Sequence, residues 1–295
     1  MLFQQLINGL TIGTAYALVT IGFTMIYGVL ELTNFAHSSY YMLGAYLCVS
    51  FMNLIGLDVL GFLLGTIGAI LVCGTISALT DKLALGVIRK RGGAAISALL
   101  CTIGIQTVIN NAIILGYGSE TRQFINVFNL GRFKIGPATV SWMQVIIATV
   151  AILIMLLLTF IIRRTKFGAG MRAISQNQRA AQMMGVKVNK IIQWTFFISA
   201  SVSALSGVLI GMYYRTLEVN MATVVGSKAF AAALLGGIGE LPGAVIGGFV
   251  IGVLESFVAG YVSSGYRDAI AFAVLIVVLV VRPQGILGKK IHHKV

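Results

Sequence analysis

Apolar residues fall into nine runs along the chain, at about 6–30, 39–57, 60–80, 94–116, 142–162, 191–214, 223–238, 243–261 and 269–281. Most are near the roughly 20 residues that a helix needs to cross the hydrocarbon core of a bilayer. They are oily nearly all round, so periodicity does not assign their faces. Helix is still the state they predict. Backbone groups in lipid must pair within their own segment or bundle, and the alternating ten-residue segments of a closed barrel are missing. The pattern therefore predicts an all-α polytopic membrane protein with eight to nine transmembrane or re-entrant helices. Two stretches, 31–39 with its neighbours and 223–240, are interrupted and are the ones expected to re-enter. Every loop is under about 30 residues. A single transmembrane domain over 1–295 follows, with no detachable soluble unit.

Composition removes the alternative of a soluble chain with a large core. The 295 residues are 58% hydrophobic and 10% charged, whereas soluble domains carry about 25% charged residues. The net charge of +13 does not point to nucleic acid, because in a membrane protein the position of the charges matters more than their sum. Lys82, Arg89, Lys90 and Arg91, seven basic residues between Arg163 and Lys190, and Arg282, Lys289, Lys290 and Lys294 make 15 of the 21 Lys and Arg. Basic loops stay on the cytoplasmic side, so these three places are expected inside. The mixed-sign connection 117–141 and the N-terminus are then outside, and the C-terminus is cytoplasmic. "MLFQQLING" has no basic n-region and its apolar run is too long for an h-region, so no cleaved signal peptide is expected.

Glycine is abundant at 35 and proline scarce at 3. Gly9/Gly13, Gly61/Gly65, Gly243/Gly247 and Gly248/Gly252 sit at the four-residue spacing that lets helix backbones approach closely. Cys48, Cys73 and Cys101 lie in apolar runs, without metal-ligand spacing, and read as small packing residues. His292 and His293 in the tail read as solvated.

Three stretches depart from the oily pattern. "ELTNFAHSSYYMLGA" (31–45) places Thr33, Asn34, His37 and Ser38 between two apolar runs. Two readings stand side by side. It is a cytoplasmic turn with Asn34 capping the second helix, or a break lining a solute path, since polar groups and irregular backbone at membrane depth are confined to bundle interiors and cavities. "LLGGIGELPGAVIGG" is the second break, where Gly236, Gly237, Gly239 and Pro242 stop one helix and start another, with Glu240 the one acid. It reads as a tight turn or, with the first break, as the matched interruptions of two repeat halves. The third stretch, 163–190, is too long for a turn. Ser175 with Gln178 fits a capping box and Gly185 a left-handed helix stop, so "QNQRAAQMM" should form a short helix. Ala180, Ala181 and Met184 would share one face of it, suited to docking in a partner's groove. The alternative is a solvated basic loop drawn to anionic lipid.

The sequence lacks a G-x-x-x-x-G-K-[ST] phosphate cradle, an H-E-x-x-H, a G-x-S-x-G and any Cys/His cluster. "SALSGVLIG" superficially resembles an ATPase signature but sits within a span. An embedded enzyme would have only Glu31 and His37 as a catalytic couple, and six positions apart they do not share a helical face. An ion-coupled secondary transporter would want charges inside its spans, and only Glu255 is placed well inside one.

Together "NGLTIGTAYALVTIGFTMIYGVLELTNFAHSSYYMLGAYL", "FGAGMRAISQNQRAAQMMGVKVNKIIQWTFFISASVSALSGVLIG", "KAFAAALLGGIGELPGAVIGGFVIGVLES" and "VRPQGILG" resemble the integral-membrane permease of branched-chain amino acid ABC importers, H-type subunit, from about residue 4 to 288. The resemblance implies a permease subunit of the bacterial inner membrane. It would pair with an M-type permease, sit on two cytoplasmic ATP-binding cassette subunits and receive solute from an extracytoplasmic binding protein. No cofactor would be bound by this chain; ATP and Mg²⁺ would belong to the ATPase partners. Near relatives of similar sequence carry urea, short amides or other aliphatic solutes. In the wider importer family the segment that couples to the ATPase reads E-A-A, three residues, then Gly. Ala180, Ala181 and Gly185 match it, Arg179 replaces the Glu, and the downstream Leu-Pro is absent. Many relatives also carry Gly-Glu where this chain has Ser38 and Ser39. A path for a zwitterion with an apolar side chain needs small residues, backbone hydrogen-bonding groups and few fixed charges, which the two breaks offer.

Overall fold

The computed structural model describes residues 2–125, 127–128, 131–136, 138–281 and 285–288. All nine apolar runs lie on helices. In chain order these are α1 (Leu2–Leu30), α2 (His37–Ile55) and α3 (Val59–Thr80), the last continued by a π-helical turn (Asp81–Leu85) into α4 (Gly86–Lys90). Then come α5 (Ala95–Tyr117), α6 (Trp142–Arg164), α7 (Lys166–Gln176), α8 (Gln178–Met183), α9 (Val188–Tyr214), α10 (Met221–Gly236), α11 (Leu241–Tyr261) and α12 (Arg267–Val281). Among the described residues, six helical stretches are long and apolar enough to cross a membrane: α1, α3 through α4, α5, α6, α9 and α11. The 16 residues of α10 reach only about 24 Å at 1.5 Å per residue, short of a ~30 Å core.

Helix starts follow local chemistry. Asp58 accepts from the Gly61 N–H at 2.7 Å to open α3. Ser141 and Gln144 close a reciprocal capping box at the start of α6, and Pro242 occupies the first turn of α11, where a missing N–H costs nothing. The 117–141 connection, read as an outer loop, also contains short strands. β1 (Arg122–Gln123) pairs antiparallel with β4 (Thr216–Leu217), and β2 (Arg132–Ile135) with β3 (Ala138–Ser141).

The packing is set by small residues and hydroxyls. Along the α1–α11 seam, a Cβ on Gly9 would come within 2.7 Å of Val253 Cα, and one on Gly248 within 2.5 Å of Ala17 Cα. Such backbone contact replaces the hydrophobic drive that lipid cannot supply. Hydroxyls of α9 add interhelical bonds: Ser206 donates to the Ala15 carbonyl at 2.9 Å and Ser203 to the His37 carbonyl at 3.2 Å.

The two ends of the bundle differ in charge. At one end Gln4 of α1 exchanges hydrogen bonds with the backbone of Thr139, and β4 ties the end of α9 to the same region. At the other, the end of α1 and Glu31 line a groove with Ile88, Arg89, Ser175 and Gln178. This brings two of the three basic segments together. The third, with Arg282, Lys289, Lys290 and Lys294, lies outside the described residues, as do His292 and His293.

Candidate translocation pathway and coupling segment

α1 ends at Leu30, where the Glu31 N–H still bonds the Tyr27 carbonyl. Residues 32–34 then run without regular structure back into the bundle. His37, the first residue of α2, lies level with Val19 and Gly22 of α1, so the break is re-entrant. Its Nε2 is 3.1 Å from the Val19 carbonyl and its Nδ1 3.1 Å from Ser199 Oγ, which also donates to the Gly22 carbonyl at 2.7 Å. A carbonyl only accepts, so Nε2 carries the proton and Nδ1 is an acceptor, which shares the single Ser199 hydroxyl hydrogen with the Gly22 carbonyl. Gly22 makes this possible: a Cβ there would sit 2.7 Å from the ring. His37 is thereby a three-helix tie between α1, α2 and α9.

Asn34 is buried, and its Oδ1 accepts from the Ala36 N–H at 3.1 Å while its carbonyl accepts from the His37 N–H. This is an Asx turn ahead of the helix; Asn34 does not cap α2, whose first turn has no side-chain cap. Thr33 is half-buried in the extended stretch. Ser38 donates to the Phe35 carbonyl and packs on Gly226 of α10, where a Cβ would lie 2.6 Å from Ser38 Cβ.

The second break lies at the other end of α10. Gly237 and Gly239 have φ of +102° and +91°, values that favour glycine. The carbonyls of Leu235 and Gly236 accept from the N–H groups of Ile286 and Leu287 at 2.8 and 3.1 Å. The end of α10 is thus stitched to residues 285–288 and its carbonyls are already engaged. Gly239 also passes Gly28, its oxygen 3.6 Å from where a Gly28 Cβ would stand. The first break thus meets α10 near its start, and the second follows its end and passes the flank of α1.

The short helix in 163–190 is present, with the stop at Gly185 that its sequence suggests and a different start. Ser175 does not cap it: its hydroxyl donates back to the Arg172 carbonyl within α7. The cap is Asn177, whose Oδ1 accepts from the Ala180 N–H at 3.0 Å. Asn177 is itself the extended joint between α7 and α8, a role open to Asn as to Ser. At the far end Gly185 has φ +84°, with Val186 N–H bonding Ala181 O and Gly185 N–H bonding Gln182 O. That is the Schellman pattern. The faces also differ from expectation. Ala181 alone turns inward, at 5% exposure, while Ala180 and Arg179 are exposed and Met183 and Met184 stand out at 88% and 85%. A six-residue helix advances each residue by about 100°, and packing of α8 on the bundle takes the Ala181 side.

One cluster escaped the sequence reading. Lys228 of α10 is 3% exposed, bonded to Glu255 Oε1 of α11 at 3.0 Å and Asp268 Oδ1 of α12 at 2.8 Å. Tyr16 donates to Glu255 Oε2 at 2.8 Å and lies 3.3 Å from the ammonium. Tyr16 is the middle residue of α1, so these charges lie at mid-depth. The expectation that Glu255 is the one charge well inside a span is corrected: its partner Lys228 sits in the 223–238 run. Two opposite charges inside neighbouring apolar runs was the available signal, since buried charges at membrane depth pair. Above the cluster opens a cavity of about 320 Å³, walled by Ile210, Val224 and Val225 and rimmed by Glu218, Asn220 and Arg267.

The branched-chain amino acid transport system permease component model matches residues 5–279. The chain belongs to that family. The high-affinity branched-chain amino acid transport system permease protein LivH of Salmonella typhimurium is 38% identical over 304 residues, covering 99% of this chain and 97% of that one. The corresponding protein BraD of Pseudomonas aeruginosa is 36% identical, with the same 99% and 97% coverage. Among solved structures, PsaBC from Streptococcus pneumoniae in complex with a Fab superposes with a TM-score of 0.51 over 96% of this chain and 92% of that chain, at 13% identity, a likeness of fold. The permease is therefore a multi-pass membrane subunit of an ABC import system and not itself an enzyme. The resemblance carried by the four sequence stretches and the family match agree.

Proposed function

We propose that this permease translocates leucine, isoleucine and valine as one of two related membrane subunits, paired with an M-type partner. Two ATP-binding cassette subunits would sit beneath it and an extracytoplasmic binding protein above. The observation that carries this reading is the near-full-length likeness to LivH and BraD. The clustering of basic residues 82–91 and 163–190 at one end of the bundle supports a cytoplasmic face there and an outer N-terminus. The C-terminus, by the same count of basic residues, is cytoplasmic. The whole chain, 1–295, acts as one transmembrane domain. ATP and Mg²⁺ belong to the partner subunits, and this chain needs no cofactor of its own.

The segment 163–190 is the coupling surface in this reading. α8 offers Met183 and Met184 outward, pliable apolar groups suited to a partner's groove, with Gln178, Arg179 and Ala180 around them. Ser175 and Gln178 line the groove that also holds Glu31 and Leu32. A push on α8 is therefore delivered to the foot of α1 and the first break, where Thr33, Asn34, His37 and Ser38 sit. The second break, Gly236, Gly237, Gly239 and Pro242, flanks the same path from α10 and α11.

The test is reconstitution in liposomes with the cognate ATPases, second permease and binding protein. ATP-dependent uptake of labelled leucine that stops when the ATPase phosphate-binding lysine is replaced supports the reading. Uptake on an ion gradient without ATPase overturns it. ATP-driven uptake of urea or a short amide with no leucine uptake overturns the solute assignment alone.

A further inference from the structure

The cavity above Lys228 has features of a small-molecule site. Its volume of about 320 Å³ falls at the low end of the roughly 300–1,000 Å³ of small-ligand pockets. It combines an apolar wall with a few converging polar groups. The wall is Ile210 of α9 with Val224 and Val225 of α10; the polar side is Arg267 and Asp268, the first two residues of α12. Lys228 does not act as a free cation here, because Glu255 and Asp268 hold it from two sides.

Arg267 is different. Its Nε is shielded from solvent and has no hydrogen-bond partner among the described residues, a costly state for a donor. Asp268, beside it, uses one oxygen on Lys228 and is 54% exposed. Around the cavity the cations Lys228 and Arg267 stand among the acids Glu255 and Asp268, with Glu218 on the rim, so a cationic and an anionic group lie side by side for the two ends of a zwitterion.

We infer that this cavity is a transient holding site for the solute in the permease, taking a small aliphatic α-amino acid with its carboxylate on Arg267, its ammonium on Asp268 and its side chain against Ile210 and Val224. This rests on the proposed function and adds to it a place and an orientation. Glu218, exposed on the rim, repels free anions from the mouth. Because the site shares its floor with the ion cluster joining α10, α11 and α12, occupancy bears directly on the packing of those helices.

The experiment uses the whole reconstituted importer with its binding protein unchanged. Val224→Phe fills the wall and should lower the leucine-to-valine uptake ratio about tenfold, since the longer side chain loses its place first. Arg267→Gln should raise the leucine concentration for half-maximal uptake about tenfold, with Arg267→Lys recovering part of it. An unchanged leucine-to-valine ratio in an assembled, active Val224→Phe importer overturns the site while leaving the function standing. If Val224→Phe fails to assemble, Val224→Cys decides: slower labelling by a small maleimide in saturating leucine supports the site, and equal labelling overturns it. A wild-type importer that moves no branched-chain amino acid takes both readings down together.

Discussion

Gly252 of α11 rests directly on Gly13 of α1: a Cβ on Gly252 would meet the Gly13 backbone and stand 2.8 Å from the Gly9 carbonyl oxygen. No side chain can yield there, because the obstacle is main chain. Gly252→Val should therefore prise α1 from α11, at a cost at or above the usual 1–3 kcal/mol of overpacking. Gly104 of α5, with nothing within 4 Å of its would-be Cβ, supplies the contrast, and Gly104→Ala should leave the fold intact. Thermal unfolding of the detergent-solubilised proteins separates the two. A Gly252→Val protein melting with the parent would refute the seam.

The Lys228–Glu255 pair gives a second expectation. Removing one member of a buried ion pair strands the other and costs about 3–5 kcal/mol, whereas replacing both by apolar residues is much milder. Lys228→Met alone should thus lower the unfolding midpoint sharply, although Tyr16 remains to hold Glu255. Lys228→Met with Glu255→Met should recover much of the loss, with Asp268 half-exposed and able to rely on solvent. A double variant as unstable as the sum of the singles would count against coupling between the two charges.

The sequence made the helices of the nine apolar runs legible because lipid leaves an apolar run few alternatives. It also made the two breaks legible, since Gly237 and Gly239 adopt the positive φ that their glycines suggest. What it withheld was tertiary. Asn34 and Ser175 are both good caps by composition, yet Asn34 folds an Asx turn and Ser175 bonds within α7 because the chain turns one or two residues later than the motif implies. The inward side of α8 could not be read from three small or pliable residues without knowing where the bundle lies. Lys228 was missed for a different reason. One lysine barely lowers the hydropathy of its run, and its meaning depends on Glu255, 27 positions away.

His37 supplies the third expectation. Its two ring bonds reach different helices, so Ser199→Ala removes one tie and should cost about 0.6–1.7 kcal/mol, the range of interhelical hydrogen bonds in membranes. His37→Ala removes both and leaves a void beside Gly22, and should cost more. The order of unfolding midpoints, parent above Ser199→Ala above His37→Ala, is the check. Transport without complex loss in Asn34→Ala with His37→Ala would remove these residues from the path; impaired uptake by an intact complex would keep them there.

The coupling helix makes the sharpest separation between stability and function. α8 has six residues, too few to hold together by propensity alone. It is kept by Asn177 at one end and Gly185 at the other. Asn177→Ala should loosen it by about 0.5–2 kcal/mol. Gly185→Pro cannot adopt φ +84°, since the proline ring fixes φ near −65°, and should undo the stop altogether. Neither change touches the spans, so insertion and thermal unfolding of the permease should stay near the parent. Met183 and Met184 face away from the bundle, and Met184→Asp should leave α8 formed while spoiling an apolar groove contact. In the reconstituted importer all three should raise the ATP hydrolysed per leucine imported, with Gly185→Pro the most severe. A Met184→Asp importer with parental stoichiometry would place the ATPase contact elsewhere on 163–190.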